Sequence, residues 1–120
     1  MLRVLIVDDE LTARRVLHGY IEDLDCQVFE AVDAIEALET LERVKIDLAL
    51  LDVRLPGYDG RWLADVVLGR FPETAVAFVT GMDALHPRTT LRKGVIGYLL
   101  KPVNRARVRA LVASVGQTFD

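Results

Sequence analysis

Short apolar runs alternate with amphipathic stretches along the whole chain. Val4–Val7 is apolar throughout and β-branched at three of its four positions, the pattern of a strand covered on both faces. Ala13, Leu17, Tyr20, Ile21 and Leu24 follow at spacings of three and four, which predicts a helix burying one side. Gln27–Ala31 is a second strand candidate. Asp33 and Glu36 then have capping-box spacing ahead of a helix that turns Ala37, Leu38 and Leu41 inward. Leu48–Leu51 is the third apolar run. After the Pro56-Gly57 turn, Asp59 is placed to cap a helix reaching about Arg70 and stopped by Pro72. Ala75–Val79 and Gly97–Leu100 read as strands four and five. Asn104 opens a last helix carrying Val108, Leu111, Val112 and Val115 on one side, with Gly116 as its expected stop. Between strands four and five, Pro87 limits any helix in residues 82–93 to about two turns.

Strands alternating with helices predict an α/β fold, a single five-stranded parallel sheet covered on both faces. In such sheets the chemistry gathers at the carboxyl ends of the strands. Here those ends are Asp8-Asp9-Glu10 after strand one, Asp52 after strand three, Thr80 after strand four and Lys101 after strand five. Carboxylates brought together repel unless a cation joins them. Paired carboxylates with room for water suit Mg²⁺, with a phosphate completing the coordination.

Composition narrows the field. The chain has 120 residues, one domain's worth, and 52% hydrophobic against 28% charged residues excludes disorder. Its one cysteine, Cys26, cannot form an internal disulfide, which fits a reducing compartment. No apolar run approaches the roughly 18 residues needed to cross a membrane, and acids at positions 8–10 interrupt any secretory signal. A cytoplasmic location is therefore expected. The net charge of −3 hides an asymmetry, because residues 61–120 hold nine of the fifteen bases and only four of the eighteen acids. Solvated helix faces explain much of that, and a basic docking surface is the sharper alternative.

Four segments carry a resemblance. They are Val7-Asp8-Asp9-Glu10, Leu51 through Gly57 (LDVRLPG), Val79-Thr80-Gly81 and Gly94 through Pro102 (GVIGYLLKP). In this order and spacing they make the chain, over essentially its whole length, resemble the receiver domain of two-component response regulators. The resemblance implies a flavodoxin-like, doubly wound sheet of strand order 2-1-3-4-5 and one receiver domain over 1–120, with no output domain in this chain.

It also implies roles. Asp52 would be the phosphoacceptor, taking a phosphoryl group from a phosphohistidine of a histidine kinase or phosphotransfer protein. Asp9, Asp52 and the backbone carbonyl of Arg54 would hold Mg²⁺, or Mn²⁺ in its place, while Asp8 would act through a bound water. Lys101 and Thr80 would contact the phosphoryl oxygens, and Thr80 with Tyr98 would form the switch. Arg54 and Met82 would flank the path of the hydrolytic water and tune dephosphorylation. The Lys101-Pro102 bond would be cis. The switch would alter the face formed by 82–116 and so control an output domain or partner, with dimerisation left open. Neither nucleic acid nor membrane binding by this chain itself is expected. On this reading the domain is not an enzyme beyond catalysing its own phosphorylation and dephosphorylation.

Other chemistry is poorly supported. Ser114 is the only serine and falls on the last helix, His18 and His86 lack metal-ligand spacing, and no glycine-rich phosphate loop follows a strand. His18 reads as a surface residue. A flavin phosphate would meet Asp8, Asp9 and Glu10 where it needs donors. A Mg²⁺-dependent aspartyl-phosphate hydrolase is the main enzyme alternative, but Arg54 occupies the position two beyond the nucleophile, where such enzymes usually carry an acid, and cannot transfer protons near neutral pH. A receiver-like adaptor that is never phosphorylated is the third reading, and the complete acid, threonine and lysine set argues against it.

Overall fold

The computed structural model of the chain describes residues 1–81 and 93–117. Its strands are β1 (Leu2–Val7), β2 (Cys26–Ala31), β3 (Leu48–Leu51), β4 (Ala75–Thr80) and β5 (Val95–Leu100). The helices are α1 (Leu11–Ile21), α2 (Ala34–Arg43), α3 (Gly60–Arg70) and α4 (Arg105–Gln117). The strands form one parallel sheet in the order β2-β1-β3-β4-β5, as the resemblance implied.

Period-two alternation divides the core between the two faces of this sheet. Val4 and Ile6 of β1 face one side with Leu17 and Ile21 of α1 and Val108, Val112 and Val115 of α4. Leu5 and Val7 face the other, with Ala37 and Leu41 of α2 and Leu63, Ala64 and Val67 of α3. Among the described residues, no helix is long and apolar enough to cross a membrane.

The caps behave largely as expected. Asp33 accepts the Glu36 N–H at 2.9 Å, but the returning Glu36 carboxylate takes the Val32 N–H at 3.3 Å, one residue before the cap. Asp59 accepts the Arg61 and Trp62 N–H groups, and Asn104 accepts that of Arg107. Gly57 has φ +75°, which its turn requires. Two expectations fail. α1 ends at Ile21, so Leu24 packs from the following turn. α4 continues through Gly116, where a Cβ would stand 3.0 Å from Leu2 Cδ1, so this glycine admits β1's first side chain instead of stopping the helix. The short helix expected within 82–93 lies almost wholly outside the described residues.

Candidate functional site

Register brings the candidate side chains to one edge. Val7 pairs with both Ala31 and Leu51, so Asp8 and Asp52 are the next residues of adjacent strands. Both are still tethered to the sheet, Asp8 N–H donating to Ala31 O at 3.1 Å and Asp52 N–H to Val7 O at 3.0 Å. Leu51 pairs with Phe78, so β4 outruns β3 and carries Thr80 past it. Thr80 pairs with Leu100, which leaves Lys101 one step beyond β5, its N–H donating to Thr80 O at 2.9 Å.

The Asp52 carboxylate is held on both oxygens. Oδ1 accepts from Thr80 Oγ1 at 3.0 Å and from the Arg54 N–H at 3.1 Å, while Oδ2 accepts from Lys101 Nζ at 2.7 Å. The same ammonium donates to Asp8 Oδ2 at 2.8 Å. Asp8 Oδ1 in turn accepts the Glu10 N–H at 2.9 Å. Asp8, Asp52 and Thr80 are buried, and among the described residues no buried side-chain polar atom lacks a partner. Lys101 thus neutralises part of the carboxylate repulsion that the sequence implied.

The electrostatics follow from burial. Desolvation, the largest influence, lifts the Asp8 carboxyl above its ordinary value in spite of the Lys101 and Glu10 bonds. Burial pulls the Lys101 ammonium down, but its bonds to Asp52 and Asp8 outweigh that and carry it above its ordinary range. The lysine therefore stays charged between its two carboxylates.

A cleft of about 360 Å³ opens over this edge, lined by Asp9, Glu10, Asp52, Arg54, Thr80, Gly81 and Lys101. Carboxylate oxygens of Asp8, Asp9 and Glu10 lie within 4.8 Å of one another, close enough to share one ion. Glu10 belongs to this cluster, although the resemblance gave it no role. Hard carboxylate oxygens are the donors Mg²⁺ prefers, so the residues present fit that ion. Tyr98 is half-buried behind the site on β5, its ring 5.7 Å from that of Phe78. Lys101-Pro102 is cis, as the resemblance implied. Met82 lies outside the described residues.

Three contributors escaped the sequence reading. Gly60 opens α3 against the backbone of the phosphoacceptor candidate: its N–H donates to Val53 O at 2.8 Å, and a Cβ there would overlap the Asp52 carbonyl oxygen and stand 2.8 Å from its carbon. A glycine directly after a capping aspartate was the available signal. Arg14 and Glu30 form a 2.9 Å ion pair between α1 and β2, joined by His18, whose Nδ1 is 3.0 Å from Glu30. His18 is therefore only partly a surface residue. Neither residue carries a sequence signal for that pair, since each reads as an ordinary solvated charge.

Comparison with known proteins agrees with this geometry. A family model of the response regulator receiver domain matches residues 4–113. The chain is 36% identical over 113 residues to response regulator protein PilR of Pseudomonas aeruginosa, covering 93% of this chain and 25% of that protein. It is 30% identical over 115 residues to transcriptional regulatory protein CitT of Bacillus subtilis, covering 93% of this chain and 51% of that protein. The chain thus spans at most about half the length of these curated relatives. Among solved structures, the REC domain of AraT, a response regulator from Geobacillus stearothermophilus, superposes with a TM-score of 0.88 at 32% identity, covering 98% of this chain and 95% of that one. A CheY-like receiver domain protein from Methanospirillum hungatei gives 0.85 at 26% identity, covering 98% of this chain and 95% of that one. With the family model spanning nearly its whole length, the chain belongs to the receiver domains of two-component response regulators.

Proposed function

We propose that this chain is a phosphoacceptor receiver in which Asp52 takes the phosphoryl group. The observation that carries the reading is the Asp52 carboxylate itself, buried yet opening on a cleft, with an ammonium on one oxygen and a hydroxyl on the other. A carboxylate oxygen of Asp52 attacks phosphorus, forming the acyl phosphate O–P bond as the P–N bond of a phosphohistidine breaks and its electron pair stays on the imidazole nitrogen. Asp9 and Asp52 with the Arg54 carbonyl would hold Mg²⁺, and Asp8 would hold one of its waters. When bound, that ion offsets the repulsion between the carboxylates and the phosphoryl oxygens. Lys101 and Thr80 need only small movements to exchange the carboxylate for phosphoryl oxygens as acceptors. The inward movement of Thr80 vacates space beside Tyr98, which links the site to β5 and the face beyond it. The partners on this reading are a histidine kinase or phosphotransfer protein and an output domain or separate protein.

Incubation with acetyl phosphate and Mg²⁺ tests the reading. The expected result is one stable phosphoryl group per chain by intact mass, and none in Asp52→Asn, which keeps the shape but loses the nucleophile. Labelling that persists in Asp52→Asn overturns the assignment. Continuous multiple-turnover release of phosphate favours the hydrolase instead, and no labelling at all favours the unphosphorylated adaptor.

Arg54 bears on lifetime. It is exposed, lines the cleft and is two residues from Asp52. Its guanidinium has only donors, so over the acyl phosphate it excludes water and cannot orient it. Arg54→Asn supplies an acceptor in its place. Decay of the phosphorylated form after donor removal is expected to quicken about tenfold, equivalent to ~1.4 kcal/mol of barrier. Equal decay in parent and variant would show that this side chain does not control the water.

A further inference from the structure

The acidic loop after β1 is gripped from outside the cleft. Beyond the β1–β2 ladder, the Asp8 carbonyl accepts a hydrogen bond from Arg14 Nη1 at 2.7 Å. The Nε of the same guanidinium donates to Glu30 Oε1 at 2.9 Å, and the Arg14 backbone N–H donates to Glu10 O at 3.1 Å. Arg14 therefore touches the first and last residues of Asp8-Asp9-Glu10, one through its side chain and one through its backbone.

The arginine is itself held. Its side chain is only 11% exposed, and Glu30, fixed within β2, takes His18 Nδ1 on its other oxygen at 3.0 Å. Burial pushes the Glu30 carboxyl up, but the bonds from His18 and Arg14 outweigh it and hold it below the ordinary carboxylate range, so the pair stays ionised. A planar guanidinium engaged by Glu30 has little freedom to rotate, and so its Nη1 donor points in a fixed direction.

We propose that Arg14, anchored by Glu30, is a positioning residue that sets the Asp8–Asp9 peptide plane and thereby preorganises the carboxylates for Mg²⁺. The inference rests on the metal reading given above. Asp9 leaves the chain from the peptide unit whose carbonyl Arg14 holds, so rotation of that unit redirects the Asp9 carboxylate, which clusters with those of Asp8 and Glu10 and lines the same cleft as Asp52. Groups that orient metal ligands from behind in this way typically change affinity ten- to a hundredfold when removed. Charge alone predicts the opposite sign. Deleting a cation near the site should tighten binding of another cation. A merely structural arginine would change the melting temperature and leave the affinity of the folded protein alone.

The test uses the whole chain, Arg14→Met and Arg14→Lys, with Mg²⁺ affinity by calorimetry and amide hydrogen exchange of residues 8–10 without metal. Lysine keeps the charge but offers a point donor in place of the fork. Both variants are expected to bind Mg²⁺ at least tenfold more weakly, methionine the more so, with faster exchange at residues 8–10. If Arg14→Met fails to fold, Arg14→Lys alone decides. Unchanged or tighter binding in a folded variant of a parent that binds Mg²⁺ overturns the inference and leaves the metal reading standing. A parent that takes up no Mg²⁺ overturns both.

Discussion

Gly60→Ala should destabilise the domain by about 3 kcal/mol, at the upper end of the cost of overpacking. A new methyl group would meet the Asp52–Val53 backbone: it would overlap the Asp52 carbonyl oxygen and stand 2.8 Å from the Asp52 carbonyl carbon and 2.9 Å from Val53 Cα. Backbone cannot swing aside as a side chain can, so either α3 retreats or the Asp52 loop shifts. Retreat sacrifices the 2.8 Å Gly60 N–H bond to Val53 O and loosens Leu63, Ala64 and Val67 against the sheet. A shift moves Asp52 relative to Thr80 and Lys101, so labelling by acetyl phosphate should fall along with stability. Gly19→Ala makes the contrast, because nothing lies within 4 Å of its Cβ position and it sits inside α1. There the same substitution should stabilise by about 0.5–1 kcal/mol through helix propensity. Urea unfolding of the two variants settles the matter. A Gly60→Ala domain as stable as its parent would mean that α3 does not bear on the Asp52 backbone.

That contrast also shows what a sequence can and cannot disclose. Val4–Val7, Leu48–Leu51 and Ala75–Val79 were legible because strands covered on both faces must be continuously apolar. Their carboxyl ends follow at once, so Asp8, Asp52, Thr80 and Lys101 could be placed together before any coordinates. β5 begins at Val95, two residues before the Gly97 at which the pattern starts it. Gly97 interrupts its apolar pattern, and the register shift at Val76/Ala77 passes over Ile96 so that Val95 still pairs with Val76. Gly97 is there because Leu111 Cδ1 would approach a Cβ to 3.3 Å, a constraint from α4 that no local pattern carries. β1 likewise begins before the apolar run Val4–Val7, since Leu2 and Arg3 pair with Cys26 and Gln27 at the open end of the sheet where a charged residue is tolerated. Arg14 and Glu30, sixteen residues apart, were invisible for another reason. Each looks like an ordinary solvated charge, and only the packing of α1 beside β2 turns them towards one another.

Lys101→Met should cost about 2 kcal/mol at pH 7 in metal-free buffer. The ammonium bridges Asp8 Oδ2 at 2.8 Å and Asp52 Oδ2 at 2.7 Å, and those residues are 2% and 5% exposed. Removing one partner from a buried charge pair typically costs 3–5 kcal/mol. The lysine is itself 27% exposed, so water replaces part of what is lost and the smaller figure applies. At this chain length about 2 kcal/mol corresponds to roughly 8 °C in the melting midpoint. The pH dependence has a definite sign. Burial already lifts the Asp8 carboxyl, and Lys101 is among the groups that restrain it, so the variant lifts it further. A carboxyl whose folded value lies above its unfolded value binds protons preferentially in the folded state. The variant's deficit is therefore full above the variant's own raised value, shrinks as pH falls through it, and reaches its smallest once pH is below the parent's folded value. Adding Asp8→Asn to Lys101→Met should recover most of the loss, because one remaining carboxylate keeps the Thr80 hydroxyl and the Arg54 N–H without a like charge beside it. Mg²⁺ should raise the midpoint of the single variant more than that of the parent, since the ion would supply the positive charge that the lysine no longer does. Melts of the three chains between pH 5 and 8, with EDTA or with Mg²⁺, separate these terms. A deficit that persists unchanged on acidification, or that Asp8→Asn does not relieve, would mean that Lys101 stabilises the domain through its packing and not by neutralising two buried acids.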